Sequence, residues 1–341
     1  MTRVRVAVDL DGPAEGFFGY LGRLAKPLAD RGVTLVGPEA PHDLLFVNDA
    51  RMVERFGEPD RVDRPLAVFE RKDAAVVQPK LRRWLAHPRV RVWLKTTVFR
   101  DPALNNRPTA TGHLHMDWIR QAEGEQDVPS RTPPVISDAD LAKILAFHPV
   151  FMMEALEPAR LLALEHAPRT PLSARSIDLL CAGLVDRSWP DLTRHRQRAN
   201  AVASTLAGRT TLVGRGRVFE PAEFLTWLGR SRIMLSPLGH GEMNWKDWEA
   251  VMCETVVVKP SAAHVTTAMY DIYRPGGGVV ECAYDFSDLE LVVERILADL
   301  NTHQARAAAE RKAMVACFAP DRLAEQFAAM VRNALQARPH A

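Results

Sequence analysis

Short β-branched, apolar runs alternate with stretches of helical periodicity along nearly all of this chain, and that alternation admits few folds. "VRVAVDL" near the start is followed by "GFFGYLGRLAKPLADRG", whose apolar residues recur at helical spacing up to Gly32, and then by "VTLVG" and "DLLFVND". This is a strand, a helix and further strands. Pro27 lies inside the helical stretch and predicts a kink or an early break there. "PLAVFERKD" and "VRVWLKTTV" read as two more strands, with "VVQPKLRRWLAHP" between them. Such an order predicts a parallel sheet flanked by helices.

The same grammar then stops and restarts. A polar, proline-marked segment, "EGEQDVPSRTPPVISDAD", and the helix-like "FMMEALEPARLLALEHA" separate the halves. Beyond them "RSIDLLCAGLV", "RTTLVG", "RIMLSPLG", "VVVKP" and "GGVVEC" read as strands, with "DLTRHRQRANAVASTLAG", "EPAEFLTWLGRS" and "KDWEAVMCE" as helices between them. "DLELVVERILADL", "ARAAAERKAMVACF" and "APDRLAEQFAAMVRNAL" close the chain as helices. A length of 341 residues exceeds what one core organises, since cores stop growing near ~250–300 residues. The expectation is two Rossmann-like α/β domains facing one cleft, residues 1–165 and 166–318, with a helix over 319–338 packing back on the first.

Composition narrows the partners. A formal charge of +2 sets up no polyanion-binding field, so nucleic acid is not expected. The four cysteines, Cys181, Cys253, Cys282 and Cys317, are far apart and mostly in apolar runs, which reads as buried thiols of a reducing compartment. The opening "MTRVRVAVDLDGP" has no signal-peptide core and no apolar run approaches the ~20 residues of a membrane span. A cytoplasmic location is expected, with peripheral membrane contact left open.

The stretch most informative about chemistry is "LSPLGHGEMNWKDWEAVMCETVVVKP", residues 235–260. A strand ends at Ser236-Pro237, a turn follows through Gly239, His240 and Gly241, and a helix starts near Asn244. In doubly wound sheets ligands bind beyond the carboxyl ends of the strands, where glycines admit close backbone approach and helix N-termini favour phosphate. Lys246 and Glu249 share one face of that helix, with Glu242 a turn before it. A cation in the first turn can meet a diphosphate, and a carboxylate one turn deeper can accept from ribose hydroxyls. A surface helix with solvated charges is the alternative.

With "YDFSDLELVVERI" further on, this stretch resembles the C-terminal half of exostosin-like and related bacterial GT-B glycosyltransferases. The resemblance covers about residues 176–295. Glu242 and Glu249 enclose six residues where the E-x7-E signature of such enzymes encloses seven, and Glu254 stands where relatives often carry glycine. The resemblance implies Glu242 near the donor sugar, Lys246 near the diphosphate, Glu249 on the ribose and Lys259 below the site. It further implies a nucleotide base held by the loop ahead of "EPAEF", which nominates Val218 and Phe219. Arg187, after the first strand of this half, and Arg215 in "GRGR" can add phosphate contacts; His240 can touch sugar or phosphate. For each of these a core contact or a solvated surface is the competing reading.

No family motif marks the first half, where the acceptor is expected. "TGHLHMDW" puts His113, His115 and Asp117 at alternating positions, so a strand would turn all three to one face. They then form the start of a zinc site, which needs at least three protein ligands, or His115 or Asp117 serves as the base for an acceptor hydroxyl, or they are satisfied loop residues. Trp118 replaces the last His of the metallo-β-lactamase-like motif that the spacing resembles. Lys95 and Arg100 in "LKTTVFR" are candidate anion contacts or surface charges. "DLDG" resembles the first motif of haloacid dehalogenase-like phosphatases, but Pro13 follows where they continue with Thr. In a GT-B domain Asp9 ends the first strand and Asp11 faces the cleft as an acceptor-side base or as a loop cap.

These observations favour a GT-B glycosyltransferase that moves a sugar from a nucleotide-diphosphate donor to a hydroxyl acceptor in glycan or polysaccharide biosynthesis. No metal and no cofactor beyond the donor itself are expected. A metal-dependent hydrolase built on His113, His115 and Asp117 is the enzymatic alternative, and a non-catalytic nucleotide-sugar-binding protein the other.

Overall fold

The computed structural model describes residues 3–9, 24–70, 72, 74–125, 130–147, 169–181, 189–208, 210–214, 219–268 and 270–336. Asp11, Arg187, Arg215, Val218 and the helix expected over 151–167 lie outside them. In the first half, Val4–Asp9 (β1), Val33–Val36 (β2), Leu44–Asn48 (β3), Leu66–Glu70 (β4) and Val90–Lys95 (β5) pair in parallel. Ala25–Asp30 (α1), Asp49–Phe56 (α2) and Leu114–Ala122 (α3) are its longer described helices. Pro27 falls in the first turn of α1, where a missing N–H costs nothing. After β5 the chain breaks at Thr96, so the expected strand "VRVWLKTTV" is two: Thr97–Phe99 (β6) leaves the sheet, and Ile144–Ala146 (β7) adds to it beside β5.

The second half runs Ile177–Cys181 (β8), Pro190–Thr205 (α4), Leu212–Val213 (β9), Pro221–Arg230 (α5), Ser231–Leu235 (β10), Trp245–Met252 (α6) and Val256–Pro260 (β11). Val265–Thr267 (β12), Val279–Cys282 (β13), Leu289–Ala298 (α7), Leu300–Cys317 (α8) and Pro320–Gln336 (α9) complete it. The first sheet is ordered β2-β1-β3-β4-β5-β7 and the second β13-β11-β10-β8-β9. Counted among the strands of its own sheet, and with the second sheet read from β9, each begins second strand, first, third, fourth, fifth. Both are therefore doubly wound, and each reverses direction between its first and third strands, where a crevice opens at the carboxyl edge.

Alternate side chains of each strand feed opposite helical layers. Val6, Val8, Phe46, Phe69 and Leu94 face α1 and α9, whereas Ala7, Leu45, Val47, Val68 and Trp93 face α2 and the turn carrying Trp84. In the second sheet Leu180, Met234 and Val257 face α5 and α6, and Leu179, Ile233, Leu235 and Val258 face α4 and α7. The last helix returns to the first sheet, where Phe327 meets Phe46 and Phe147 at 5.8 and 6.1 Å between ring centres.

A short antiparallel ribbon joins the halves. β6 pairs with β12, Thr97 opposite Thr267 and Phe99 opposite Val265. Arg100 extends it: its N–H donates to the His264 carbonyl at 2.9 Å, its Nε to the Ala263 carbonyl at 2.8 Å, and its guanidinium pairs with Asp271. The cations of "LKTTVFR" are thus committed. Lys95 is fully buried against Glu70 at 3.1 Å, and Arg100 ties one half to the other.

Candidate functional site

At the reversal point of the second sheet, β10 ends at Leu235 and the chain turns through Pro237 to Asn244 before α6 begins. The Gly239 N–H donates to the Gly241 carbonyl at 3.2 Å. A Cβ on Gly239 would stand 2.5 Å from Asn244 Oδ1, so any larger residue there would have to push the capping side chain aside. Asn244 and Asp247 form a capping box. The buried Asp247 carboxylate then accepts from Ser236 Oγ and from the Tyr273 hydroxyl at 2.5 Å, and faces Lys259 Nζ at 3.1 Å. Burial pushes the Lys259 ammonium down from its ordinary value, and Asp247 opposes the shift.

Three cations meet behind this turn. Arg196 Nη2 stands 3.5 Å from where a Gly239 Cβ would be, bringing it over the glycine from α4. Burial, and then the charge of Arg196, push the Lys246 ammonium down to about 8, with Lys259 and the Cys181 end of β8 also within its field. The sequence reading missed Arg196. "TRHRQR" looks like a solvated helical face, and only the tertiary structure separates Arg196 from its neighbours. The preceding His195 is buried; its Nε2 accepts from the Leu238 N–H at 3.2 Å, and burial holds the ring neutral by pushing it down to about 3. One side of α4 thus pins the turn and reaches across it. Glu249, one turn deeper in α6, is buried.

Glu242 lies at the boundary between the halves. Its carboxylate is buried where the halves meet: Oε2 accepts from the Ala75 N–H at 3.0 Å, and Oε1 lies 3.2 Å from His115 Nδ1 and 3.5 Å from His264 Nε2. Burial alone would raise its pKa, but the His115 and His264 rings hold it well below the usual carboxylate range. His115 Nε2 stands 3.3 Å from the Gly239 carbonyl. A side chain of the first half therefore grips both the glutamate and the glycine turn of the second.

The trio in "TGHLHMDW" does not share one face. His113 is the N-cap of α3 and the other two lie in its first turn, so the strand expected there is a helix and the alternation does not align them. Asp117 accepts from the N–H groups of Ala110 and Thr111 and from Thr111 Oγ1, a local cap. His115 points to Glu242, whereas His113 lines an opening. Among the described residues no three His, Cys, Asp or Glu side chains are grouped to hold a metal ion. Asp9, 6 % exposed, is clamped by Arg51 at 3.1 Å and Arg55 at 2.8 Å from α2. Phe219 lays its ring near Phe224 and Trp227, at 6.2 and 6.1 Å.

The opening is a cleft of about 570 Å³, walled by Lys72, residues 74–79 and His113 of the first half and by Trp189 and His240 of the second. His240, at the tip of the glycine turn, brings that turn to the cleft. Trp189, the N-cap of α4, meets His240 edge to face at 4.8 Å. Trp189 was not singled out by the sequence, whereas His113 belongs to the "TGHLHMDW" group that one reading set near the cleft. No described helix is long and apolar enough to cross a membrane.

No family model and no curated protein matches the chain. Solved structures do. An alpha-glucosyltransferase in complex with UDP aligns over 96% of this chain and 100% of its own at 11% identity, TM-score 0.46. An alpha1,3-fucosyltransferase aligns over 98% and 91% at 12% identity, TM-score 0.44. An alpha,alpha-trehalose-phosphate synthase (UDP-forming) from Burkholderia vietnamiensis aligns over 94% and 80% at 16% identity, TM-score 0.44. Likeness at this level says nothing of what this chain binds.

Proposed function

We propose that this protein is a GT-B glycosyltransferase that transfers a sugar from a nucleotide-diphosphate donor to a hydroxyl acceptor. One observation carries the reading: Arg196, Lys246 and Lys259 converge behind a glycine turn at the reversal point of a doubly wound sheet, and that turn opens on the cleft between the halves. Asp247 offsets Lys259 at 3.1 Å, and a helix start with cations beside it at the reversal point of such a sheet is where anionic ligands bind. The bond from the anomeric carbon to the diphosphate breaks, one to the acceptor oxygen forms as that hydroxyl releases its proton to the departing diphosphate or to water, and the charge growing on the leaving diphosphate falls to Arg196, Lys246 and the start of α6. Glu249 is assigned to the ribose and His240 to the sugar or its phosphate. Metal independence, an exostosin-like affiliation and a role in glycan or polysaccharide synthesis belong to the same reading, supported by the residue pattern from Ser236 to Pro260, and a cytoplasmic location by the four free cysteines.

The test is calorimetry against a panel of nucleoside diphosphates with EDTA present. One nucleoside diphosphate should bind, and Lys246→Ala and Arg196→Ala should each weaken it by roughly ten- to a hundredfold, the loss of one charged hydrogen bond, while leaving the weaker binding of the free nucleoside unchanged. No binding by any member of the panel, or full affinity in both variants, overturns the reading.

A further inference from the structure

Trp189 lines the cleft with its indole 44% exposed, and a large ring with an apolar face on a cleft wall suits a ligand that offers an apolar face of its own. It is held in place. His240 stands edge to face with it at 4.8 Å and 77°, and His113 at 6.1 Å and 67°. The His113 ring carries no charge near neutral pH, since burial and then the neighbouring His115 push it down to about 4. Across the cleft stand Ala74, Val76 and Pro79, apolar, with Lys72 and Gln78 at the same wall.

We propose that this is an acceptor subsite in which a pyranose ring stacks on Trp189. The inference rests on the glycosyltransferase reading above and names its acceptor class. A pyranose presents C–H groups on its faces and hydroxyls around its rim. The indole and the Ala74, Val76 and Pro79 wall suit the faces, and Lys72 and Gln78 suit the hydroxyls, the usual division of labour in a small-molecule site. Most of the lining comes from the first half, whereas the three cations that would hold the donor lie in the second. A ring stacked on Trp189 therefore lies on the acceptor side of the glycine turn. Its hydroxyl would point toward His240 and the turn, where the donor sugar must sit.

The test uses methyl glycosides of glucose, galactose and mannose as probes, titrated by saturation-transfer NMR into the full-length protein, alongside calorimetry with the nucleoside diphosphate. At least one glycoside should bind, with saturation strongest on the protons of one ring face. Trp189→Ala should weaken it by roughly tenfold or more, as for a truncated aromatic anchor, while Trp189→Phe retains most of the affinity. Nucleoside diphosphate affinity should stay within about twofold in both variants. Trp189 is half exposed, so its truncation leaves the cores intact. Equal glycoside binding by wild type and Trp189→Ala, or no glycoside binding while the nucleotide binds, overturns the subsite without touching the donor site. Loss of nucleotide rather than glycoside affinity in Trp189→Ala would make the indole a base platform and also overturns it. Absence of all nucleotide binding would instead strike the reading on which the inference rests.

Discussion

At the scale of single residues, the decisive property is how charge is buried. Lys246 carries an ammonium that burial and Arg196 push down to about 8, so in the free protein it gives up its proton only slightly above neutral pH. A bound diphosphate favours the ammonium and raises that pKa. The sign follows: affinity is level while Lys246 is charged in both states, and falls as pH rises through about 8, because binding must then take up a proton, by up to roughly tenfold per unit. Calorimetry from about pH 6 to 10 checks this, and Lys246→Arg, which keeps its charge throughout, should flatten the profile. A level profile in the native protein would remove Lys246 from the diphosphate. The sequence showed that Lys246 and Glu249 share a helix face, since three residues make nearly one turn. It could not show that Arg196 comes over Gly239, because 43 positions of chain separate them and every arginine of "TRHRQR" has the same local signature.

Among the elements, α6 shows how a departure from a family pattern is accommodated. Its end is a Schellman motif: the Thr255 N–H donates to the Ala250 carbonyl at 2.9 Å and the Glu254 N–H to Val251 at 3.0 Å. Glu254 sits at φ 54°, the left-handed conformation that explains the glycine of the resembling pattern. Here the side chain has compensating contacts, Oε2 accepting from Gln304 at 2.9 Å and Oε1 lying 3.4 Å from Arg169. Glu254→Ala loses the contacts and keeps the strain, whereas Glu254→Gly loses the contacts and the strain together. The glycine variant should therefore be the more stable of the two by about 1 kcal/mol in denaturant unfolding. Equal stabilities would mean that the backbone at 254 is not strained. α3 teaches the opposite lesson. "TGHLHMDW" has period two over only a few polar residues, too short to decide between strand and helix, and the Asp117 cap on Ala110 and Thr111 decides for the helix.

For the whole molecule, the halves behave as one body. The β6–β12 ribbon, Arg100 with Asp271, and Glu242 with Ala75 and His115 all cross the boundary, and α9 carries the chain back to the first sheet. Scanning calorimetry should show one transition rather than two. Glu242→Ala should lower stability by about 1–3 kcal/mol, since it leaves the buried Ala75 N–H and the His115 ring without their acceptor; a loss under about 0.5 kcal/mol would show these contacts to be dispensable. The local pattern of apolar runs and helical periods was enough, without coordinates, to mark most of the strands of both sheets and most of the helices between them, though not β7 or β12, because periodicity and burial are properties of a few neighbouring residues. It also placed the glycine turn at the end of a strand. Tertiary structure alone decided that "TTV" leaves its sheet to pair with β12, that Glu242 joins the halves, and that Arg196 and Trp189 stand at the turn. Those contacts link residues far apart in the chain, and no short window of sequence records which distant side chains will meet.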